Sequence, residues 1–422
     1  MARDFKDTKI WRVDPRQVSA EGLREAAACL QAGGLVAFPT ETVYGLGADA
    51  LQAEAVAAIF TAKGRPSDNP LIVHIADRDD VARLTVGFPA LARRLAERFW
   101  PGPLTLVLPA SPQIPAVVTA GLATVAVRMP SHPVARALIG EAGTPVAAPS
   151  ANRSGRPSPT TAAHVWEDLG GRIDGIVDGG DCDLGLESTV VDATGDVAVI
   201  LRPGGVTREM IEALGLPVRT AFAAERLGEG TGAVAGTDAV AGTDAVAGTD
   251  AVAGTDAVAG TNEAAEAFCC DGDVEPGGGA GDFVPPSPGM KYVHYAPRAP
   301  LYLLDGGWEG QVEALRRLLS PSAERGDDAG PTGLLISEDT YRRIEPMLQQ
   351  CGDAGHGEKW VVRLTGSRED LATVARRLFG AIRAFDQTTV ARIVAETYPH
   401  RGIGSALMNR LEKAAGGRRW PG

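Results

Sequence analysis

The middle of the chain constrains the fold most, because it lacks the residues needed to build a hydrophobic core. Within the 422 residues, positions 227–290 contain eleven acidic residues and no lysine or arginine. A hexapeptide, Ala-Val-Ala-Gly-Thr-Asp, recurs five times at 233–262, the last copy ending in Asn262. Such short, alanine-rich repeats bury too little surface to offset chain entropy. The sequence therefore predicts a flexible linker at 220–299, between a domain at 15–219 and a second domain at 300–422.

The acidity of the chain belongs mainly to this linker. The formal net charge is −12, so the eleven uncompensated carboxylates of 227–290 account for nearly all of it. Positions 1–226 hold 22 basic and 26 acidic residues, with no run of lysine or arginine. The charge pattern shows no electrostatic footprint for RNA. An RNA-binding function of the N-terminal domain is therefore an alternative that the charges do not favour.

The cysteines and the apolar segments bear on the compartment. The five cysteines form no Cys-x-x-Cys pair and no spacing suited to zinc, so we expect no protein-bound structural metal. The first residues lack an apolar signal region, and no stretch reaches the roughly 18 apolar residues needed to span a bilayer. We therefore expect a soluble, cytoplasmic protein that makes no membrane contact.

Short strands outnumber helices in the N-terminal domain. Periodicity predicts helices at 53–62, 90–99, 133–139 and 208–214, the last with Thr207 as its N-cap. It predicts strands at 34–38, 71–75, 104–108, 124–127, 146–148, 175–177, 189–192 and 197–201. Several strands adjoin without an intervening helix, which indicates an α/β fold with a mixed, twisted sheet and flanking helices.

The C-terminal domain shows a more regular alternation. Predicted strands at 301–304, 333–336, 359–364 and 391–395 alternate with helical segments, the longest at 368–385. This pattern predicts a smaller, parallel, Rossmann-like α/β domain. Gly402 and Gly404 open the last helix without the third glycine of a dinucleotide motif, so close packing of the helix onto a strand is the favoured reason for them.

The clearest sign of a ligand is the loop at 63–71, where two prolines stiffen a cationic segment. Arg65 has the planar fork that binds phosphate oxygens, and Lys63 offers a compact charge for an oxyanion that develops during a reaction. Lys63 and Gly64 also suit a helix C-terminus, with Gly64 in the left-handed conformation. Both interpretations stay open, and we predict Lys63 and Arg65 as catalytic residues.

A second polar loop follows the alanine-rich strand at 146–148. Ser150 and Asn152 there offer a hydroxyl and an amide suited to a phosphate or a base edge, or alternatively to an Asx-type turn. Arg128 and Arg202 each end an apolar strand beside a proline-containing turn. Because the chain lacks a P-loop motif, loops at the strand ends would have to bind a nucleotide instead.

Six motifs stand out in the N-terminal domain: PTETVYGLG at 39–47, KGRP at 63–66, NPL at 69–71, SAN at 150–152, ESTV at 187–190 and LRPG at 201–204. Together they resemble the YrdC-like threonylcarbamoyl-AMP synthases, over most of residues 15–215. The segment at 287–297 and the domain after it resemble the long, two-domain form of that family.

The resemblance implies that L-threonine, bicarbonate and ATP, the last with Mg²⁺ as the one cofactor, give threonylcarbamoyl-AMP and pyrophosphate. Downstream transfer enzymes would then pass the threonylcarbamoyl group to the adenosine next to the anticodon of tRNA. A carbamoyl-transfer enzyme of the hydrogenase-maturation type is a further alternative, since it carries a related domain. Those enzymes add zinc-finger and acylphosphatase-like regions, and the cysteine spacing here indicates neither.

The resemblance also implies the site residues. The segment 287–297 would fold over the pocket as a lid that brings Tyr295 to the nucleotide. Threonine would be surrounded by Thr42, His74, Arg128, Ala148 and Ser188. ATP would be held by Arg65, Asn69, Thr124, Ser150, Asn152, Ser158, Arg202 and Tyr295. Chemically, Arg128 suits the threonine carboxylate, the hydroxyls of Thr42 and Ser188 suit its hydroxyl, and His74 suits its amine.

Overall fold

The computed structural model describes residues 6–221, 295–320, 330–351 and 359–421. The predicted linker lies almost wholly outside these residues. Residues 6–221 form a larger part and residues 295–421 a smaller one, and both belong to one compact unit. The domain boundaries predicted at 219 and 300 stay a prediction.

The larger part is built on a mixed sheet whose strands run in the order β1-β8-β2-β3-β7-β4-β6-β5-β9-β10-β11. The strands are β1 (Lys9–Arg12), β2 (Val36–Phe38), β3 (Gly45–Asp49), β4 (Ile72–His74), β5 (Leu104–Pro109), β6 (Thr124–Arg128), β7 (Val146–Ala147), β8 (Gly175–Asp178), β9 (Thr189–Asp192), β10 (Ala198–Arg202) and β11 (Val218–Thr220). Strand β3 is antiparallel to both β2 and β7, whereas β4 is parallel to β6. The predicted mixed sheet is confirmed.

Helices flank this sheet, and their apolar faces build its core. They are α1 (Ala20–Gln31), α2 (Ala53–Lys63), α3 (Val81–Leu84), α4 (Ala90–Phe99), α5 (Ala116–Thr119), α6 (Pro133–Ala142), α7 (Ala162–Leu169) and α8 (Arg208–Glu212). Helix α1 illustrates why these segments are helical. Ser19 caps it by accepting a hydrogen bond from the Gly22 amide, and the buried Leu23, Ala26 and Leu30 recur at helical spacing.

The eight strands predicted for this part are all present, with ends within two residues of the prediction. The four predicted helices are present too, and the N-cap at Thr207 is confirmed by its side chain, which accepts from the Met210 amide. The prediction missed strands β1, β3 and β11 and helices α1, α3, α5 and α7.

The smaller part is a parallel sheet in the order β12-β15-β13-β14, as predicted. Its elements are β12 (Leu301–Leu303), α9 (Trp308–Leu319), β13 (Thr332–Ile336), α10 (Glu338–Cys351), β14 (Trp360–Leu364), α11 (Leu371–Phe385), β15 (Arg392–Ala395) and α12 (Ile403–Ala415). A side chain at Gly404 would meet the Pro399 carbonyl at 2.1 Å and Leu371 at 3.3 Å. Close packing does explain this glycine, although its neighbours are a loop and α11, not a strand.

Strand register brings candidate residues together at one edge of the larger sheet. His74 on β4 and Arg128 on β6 are direct partners in a parallel pair, and Thr105 on β5 lies opposite Arg128. The start of β9 follows beside β5. Among the described residues, no helix is both long enough and apolar enough to cross a membrane.

Candidate active site

A cavity of about 750 Å³, counting the part open to solvent, lies at these strand ends. Segments far apart in the sequence contribute to its wall. Of the residues predicted for the site, those that line it are Thr42, Lys63, Arg65, His74, Arg128, Ala148, Ser150, Asn152, Ser188, Arg202 and Tyr295.

Lys63 is the last residue of α2, and its side chain turns inward. Gly64 caps the helix in the left-handed conformation, with φ of 62°, so the local interpretation of this pair as a helix C-terminus is confirmed. The Lys63 ammonium is buried and donates hydrogen bonds to the carbonyl oxygens of Ser150 and Asn152. Burial, and then the charge of Arg65, lower the pKa of Lys63 well below its usual range. The two carbonyl acceptors favour the ammonium form. Two of its three N–H donors are thus engaged, and one remains for the cavity.

The two polar loops hold their own shape. Arg65 Nη2 donates to the carbonyl oxygens of Asn69 at 3.3 Å and Pro70 at 3.1 Å, which closes the proline-containing loop. Asn152 Nδ2 donates to the carbonyls of Arg153 and Arg156, each at 2.8 Å, while its Oδ1 accepts from Ser150 Oγ at 2.5 Å. Asn152 therefore maintains its loop, as the turn interpretation predicted, and also lines the cavity.

Arg128 enters the cavity as half of a buried ion pair. Its Nη2 donates to Glu41 Oε1 at 2.7 Å, and its Nη1 donates to Thr42 Oγ1 at 2.9 Å. The carboxylate of Glu41 offsets the desolvation of the guanidinium, which a lone buried cation would suffer in full. Arg128 and the Thr42 hydroxyl consequently face the cavity as one unit.

His74 lies beside this pair and is uncharged at neutral pH. Burial, and then the charge of Arg128, lower the pKa of His74 to about 3. Its Nδ1 is buried and has no hydrogen-bond partner among the described residues. A neutral ring with an unused nitrogen is a good partner for a ligand N–H or O–H group.

Arg202 lies at the end of β10 and binds the chain around Ser188. Its Nε and Nη2 donate to the Ser188 carbonyl at 3.1 and 3.0 Å, and Nη2 also reaches Ser188 Oγ at 3.2 Å. Ser188 Oγ in turn lies 2.7 Å from Thr105 Oγ1. Burial lowers the pKa of Arg202 to about 10, which leaves it cationic at neutral pH.

Comparison with known proteins identifies the family. The Sua5_yciO_yrdC family model, described as telomere recombination, matches residues 28–204, and the model for the threonylcarbamoyl-AMP synthase C-terminal domain matches residues 259–416. The chain is 43% identical to the threonylcarbamoyl-AMP synthase of Bacillus subtilis (strain 168) over 415 residues, which cover 97% of this chain and 99% of that protein. The chain belongs to the threonylcarbamoyl-AMP synthase family.

Two further comparisons, both with Pyrococcus abyssi, agree with this. The enzyme of Pyrococcus abyssi is 41% identical over 396 residues, 94% of each chain. The crystal structure of P. abyssi Sua5 complexed with L-threonine superposes with a TM-score of 0.75 at 38% identity, covering 98% of this chain and 99% of that one. The match along both parts confirms the predicted fold class.

Three residues predicted to hold ATP in this synthase fold do not line the cavity. Thr124 starts β6 and lies four steps along the strand, at about 3.3 Å each, from Arg128 at the cavity. Ser158 is buried and donates its hydroxyl to Glu187, a lining residue. Asn69 is fully buried, and both polar atoms of its amide have no partner among the described residues.

Other residues of this synthase-family site were not predicted. Thr40, Ser154 and Glu187 line the cavity, and Glu41 fixes Arg128. All but Ser154 lie within the motifs PTETVYGLG and ESTV, so their position next to Thr42 and Ser188 was an available signal. Of the predicted lid at 287–297, residues 287–294 lie outside the described residues, whereas Tyr295 lines the cavity and stacks on Phe379 with ring centroids 5.1 Å apart.

Proposed function

We infer that this chain joins L-threonine, bicarbonate and ATP into threonylcarbamoyl-AMP, with release of pyrophosphate. One observation carries the inference most directly: a single cavity collects four buried or half-buried cations, Lys63, Arg65, Arg128 and Arg202, from three separate segments. The relatives named as threonylcarbamoyl-AMP synthases, and the threonine complex of the P. abyssi protein, support the same reaction. Its product would pass to downstream enzymes that modify tRNA.

The threonine end of the cavity is the Arg128 side. Arg128 has five N–H donors, and three of them go to Gly102, Thr42 and Glu41. The other two suit the threonine carboxylate. The unused Nδ1 of His74 suits the threonine amine, the Thr42 and Ser188 hydroxyls suit its hydroxyl, and the small side chain of Ala148 leaves room beside them.

The ATP end lies between Lys63, Arg65 and Arg202. The remaining N–H of Lys63 and the guanidinium of Arg65 supply positive charge close to the Ser150 loop. Arg202 approaches the same space from β10, and Tyr295 adds an aromatic ring. Such an arrangement suits a triphosphate and a base bound without a P-loop. Asn69, Thr124 and Ser158 stay predicted ATP ligands, and none of the three lines the cavity in this structure.

The reaction needs no covalent enzyme intermediate. The threonine amine attacks the carbon of bicarbonate or CO₂ and forms an N–C bond. Bicarbonate loses water in this step, whereas with CO₂ the amine releases a proton. The new carboxylate attacks the α-phosphorus of ATP, and the bond from that phosphorus to the pyrophosphate oxygen breaks. Lys63 and Arg65 would bring the two anions together and stabilise the charge that develops on the phosphoryl oxygens.

We propose that ATP enters as its Mg²⁺ complex. No three His, Cys, Asp or Glu side chains converge on a metal site among the described residues. Both carboxylate oxygens of Glu187 are engaged, by Ser158 and Arg410. These surroundings fit an ion that is held mainly by phosphate oxygens and water, which is how Mg²⁺ commonly binds with nucleotides.

The proposal is tested by substrate omission. We expect the purified chain to release pyrophosphate from ATP only when L-threonine and bicarbonate are both present. Mass spectrometry with labelled threonine should detect label in the adenylate. Equal pyrophosphate release without threonine would refute the proposal. Tight, salt-sensitive tRNA binding without ATP turnover would support the RNA-binding alternative instead.

A further inference from the structure

Arg410 lies on α12 of the smaller part, yet its side chain ends directly behind the cavity. The residue is fully buried. Its Nε donates to Glu187 Oε2 at 2.9 Å, and its Nη1 donates to the Pro203 carbonyl at 2.6 Å. Its guanidinium carbon lies 5.9 Å from the ring centroid of Tyr295, within the range of a cation–π contact.

The partners of Arg410 belong to the cavity wall or adjoin it. Glu187 and Tyr295 line the cavity, and Pro203 directly follows Arg202, which also lines it. Glu187 directly precedes Ser188, and Arg202 donates two hydrogen bonds to the Ser188 carbonyl. One arginine of the smaller part therefore ties together the two segments that carry Ser188 and Arg202.

We propose that Arg410 is a positioning residue for ATP, through which docking of the smaller part completes the nucleotide side of the cavity. This inference rests on the proposed function. The Arg410 guanidinium itself does not contact a substrate, and it acts through Glu187, Pro203 and Tyr295.

The electrostatics of Glu187 fit this role. A carboxylate buried without a cation would be strongly disfavoured. Burial by itself raises the pKa of Glu187, but Arg410 and then Arg202 bring it below its usual range, so the carboxylate is ionised. Ser158 donates to the other oxygen. Without Arg410, the ionised Glu187 would lose its direct ion-pair partner at 2.9 Å, and it would either take up a proton or move toward Arg202.

A matched control exists on the neighbouring helix. Arg383 on α11 is also buried and also crosses to the larger part, where its Nη2 lies 2.7 Å from Asp168 Oδ2. Its bonding partners in the larger part are Asp168, Pro157 and Glu167, none of which lines the cavity. Asp168 also accepts a hydrogen bond from the Arg153 amide at 3.3 Å, so Arg383 reaches the loop after Asn152 only indirectly, whereas Arg410 bonds a lining residue itself.

The test compares Arg410→Met with Arg383→Met in the full-length chain. The quantities to be measured are Tm, the Kd for ATP by calorimetry, and KM and kcat by pyrophosphate release. Both variants should lower Tm, but Arg410→Met should raise the Kd and KM for ATP by about tenfold, for the loss of one charge-assisted contact to a lining residue, and Arg383→Met should raise them less. Arg410→Lys should recover part of this loss. Adding Glu187→Gln to Arg410→Met should cost less than the two single effects combined, because both variants break one interaction.

Equal ATP affinities in Arg410→Met and Arg383→Met would overturn the inference and leave Arg410 a purely structural role. If Arg410→Met does not fold, Arg410→Lys decides: a raised KM for ATP at wild-type Tm supports the inference, and an unchanged KM overturns it. A wild-type chain that binds ATP but releases no pyrophosphate would overturn the proposed function alone, because the comparison of ATP affinities would still decide the role of Arg410.

Discussion

At the residue scale, the cationic side chains of the cavity are fixed by their neighbours before any substrate arrives. Lys63 is anchored on two carbonyls, Arg128 on Glu41 and Thr42, and Arg202 on Ser188. In a preorganised site, the side chains need little rearrangement as charge develops in the transition state. This preorganisation is a main source of the rate enhancement in enzymes. The hydrogen bonds within the protein therefore hold these cations in the positions that their predicted roles require.

Lys63→Met should remove turnover while the chain stays folded. Loss of one oxyanion donor typically lowers kcat by about 100- to 1000-fold. Two effects on stability oppose each other, since the carbonyls of Ser150 and Asn152 lose a donor while a buried charge disappears. Pyrophosphate release and circular dichroism measure the two outcomes. Arg153→Met, which removes an exposed cation from the adjacent loop, is the control, and wild-type turnover in Lys63→Met would exclude Lys63 from the mechanism.

His74 should make the folded chain less stable in acid. Its folded pKa of about 3 lies below the ordinary value of 6.5, so between these values the unfolded chain binds a proton that the folded chain does not. Stability should fall as the pH drops below about 6.5, by at most about 1.4 kcal/mol per pH unit.

Urea unfolding of wild type and His74→Gln between pH 7 and pH 5 measures the contribution of His74 to the pH dependence of stability. Burial also lowers the pKa of His132, and that of His164 to about 4, so the variant should keep a reduced slope. Identical pH slopes in the two proteins would contradict the prediction.

At the element scale, strand β3 shows why the prediction was incomplete. Its sequence, Gly-Leu-Gly-Ala-Asp, is fully buried between β2 and β7. Glycine weakens strand propensity, so local pattern does not predict a strand here. The reason for Gly47 lies in its neighbours, since a Cβ there would meet Phe38 and Val146, each at 2.8 Å.

Gly47→Ala should therefore lower the free energy of unfolding by about 1–3 kcal/mol, the usual cost of overpacking a core. Both neighbours are buried and have little room to move. Gly195→Ala is the matched control, because a Cβ at Gly195 meets nothing within 4 Å, and it should change stability by less than about 0.5 kcal/mol. Chemical denaturation compares them, and equal stabilities would show that β3 has space for a side chain.

At the scale of the whole molecule, helices α11 and α12 join the smaller part to the larger one. Val43 and Leu186 of the larger part share a hydrophobic cluster with Phe379 of α11 and Leu411 of α12. Helices α9 and α10 build a separate cluster on the other face of the small sheet. One face of the smaller part therefore packs against the loops of the larger part that carry site residues.

Gly185 allows this contact to be close. A Cβ there would lie 2.5 Å from Arg376 Cα of α11, and the residue has φ of 75°. Gly185→Ala should lower Tm more than Gly180→Ala, since Gly180 has a similar φ of 87° but open space around it. Both variants pay the strain of the left-handed conformation, about 1–2 kcal/mol, and only one meets α11. Thermal unfolding compares them, and equal losses would refute a tight contact at Gly185.

The sequence by itself determined the alternation of strands and helices, the mixed and parallel character of the two sheets, and eleven residues around the cavity. The sheets and helices follow from local periodicity and from proline and glycine punctuation, whereas the full set of cavity residues came from the resemblance of short motifs to a known family. Tertiary structure decided what no local pattern carries: Lys63 pointing inward onto the Ser150 loop, Glu41 neutralising Arg128, and Arg410 reaching Glu187 across 223 positions of sequence. The physical reason is that a buried charge selects its partner by proximity in the folded core, and that proximity depends on how whole elements pack.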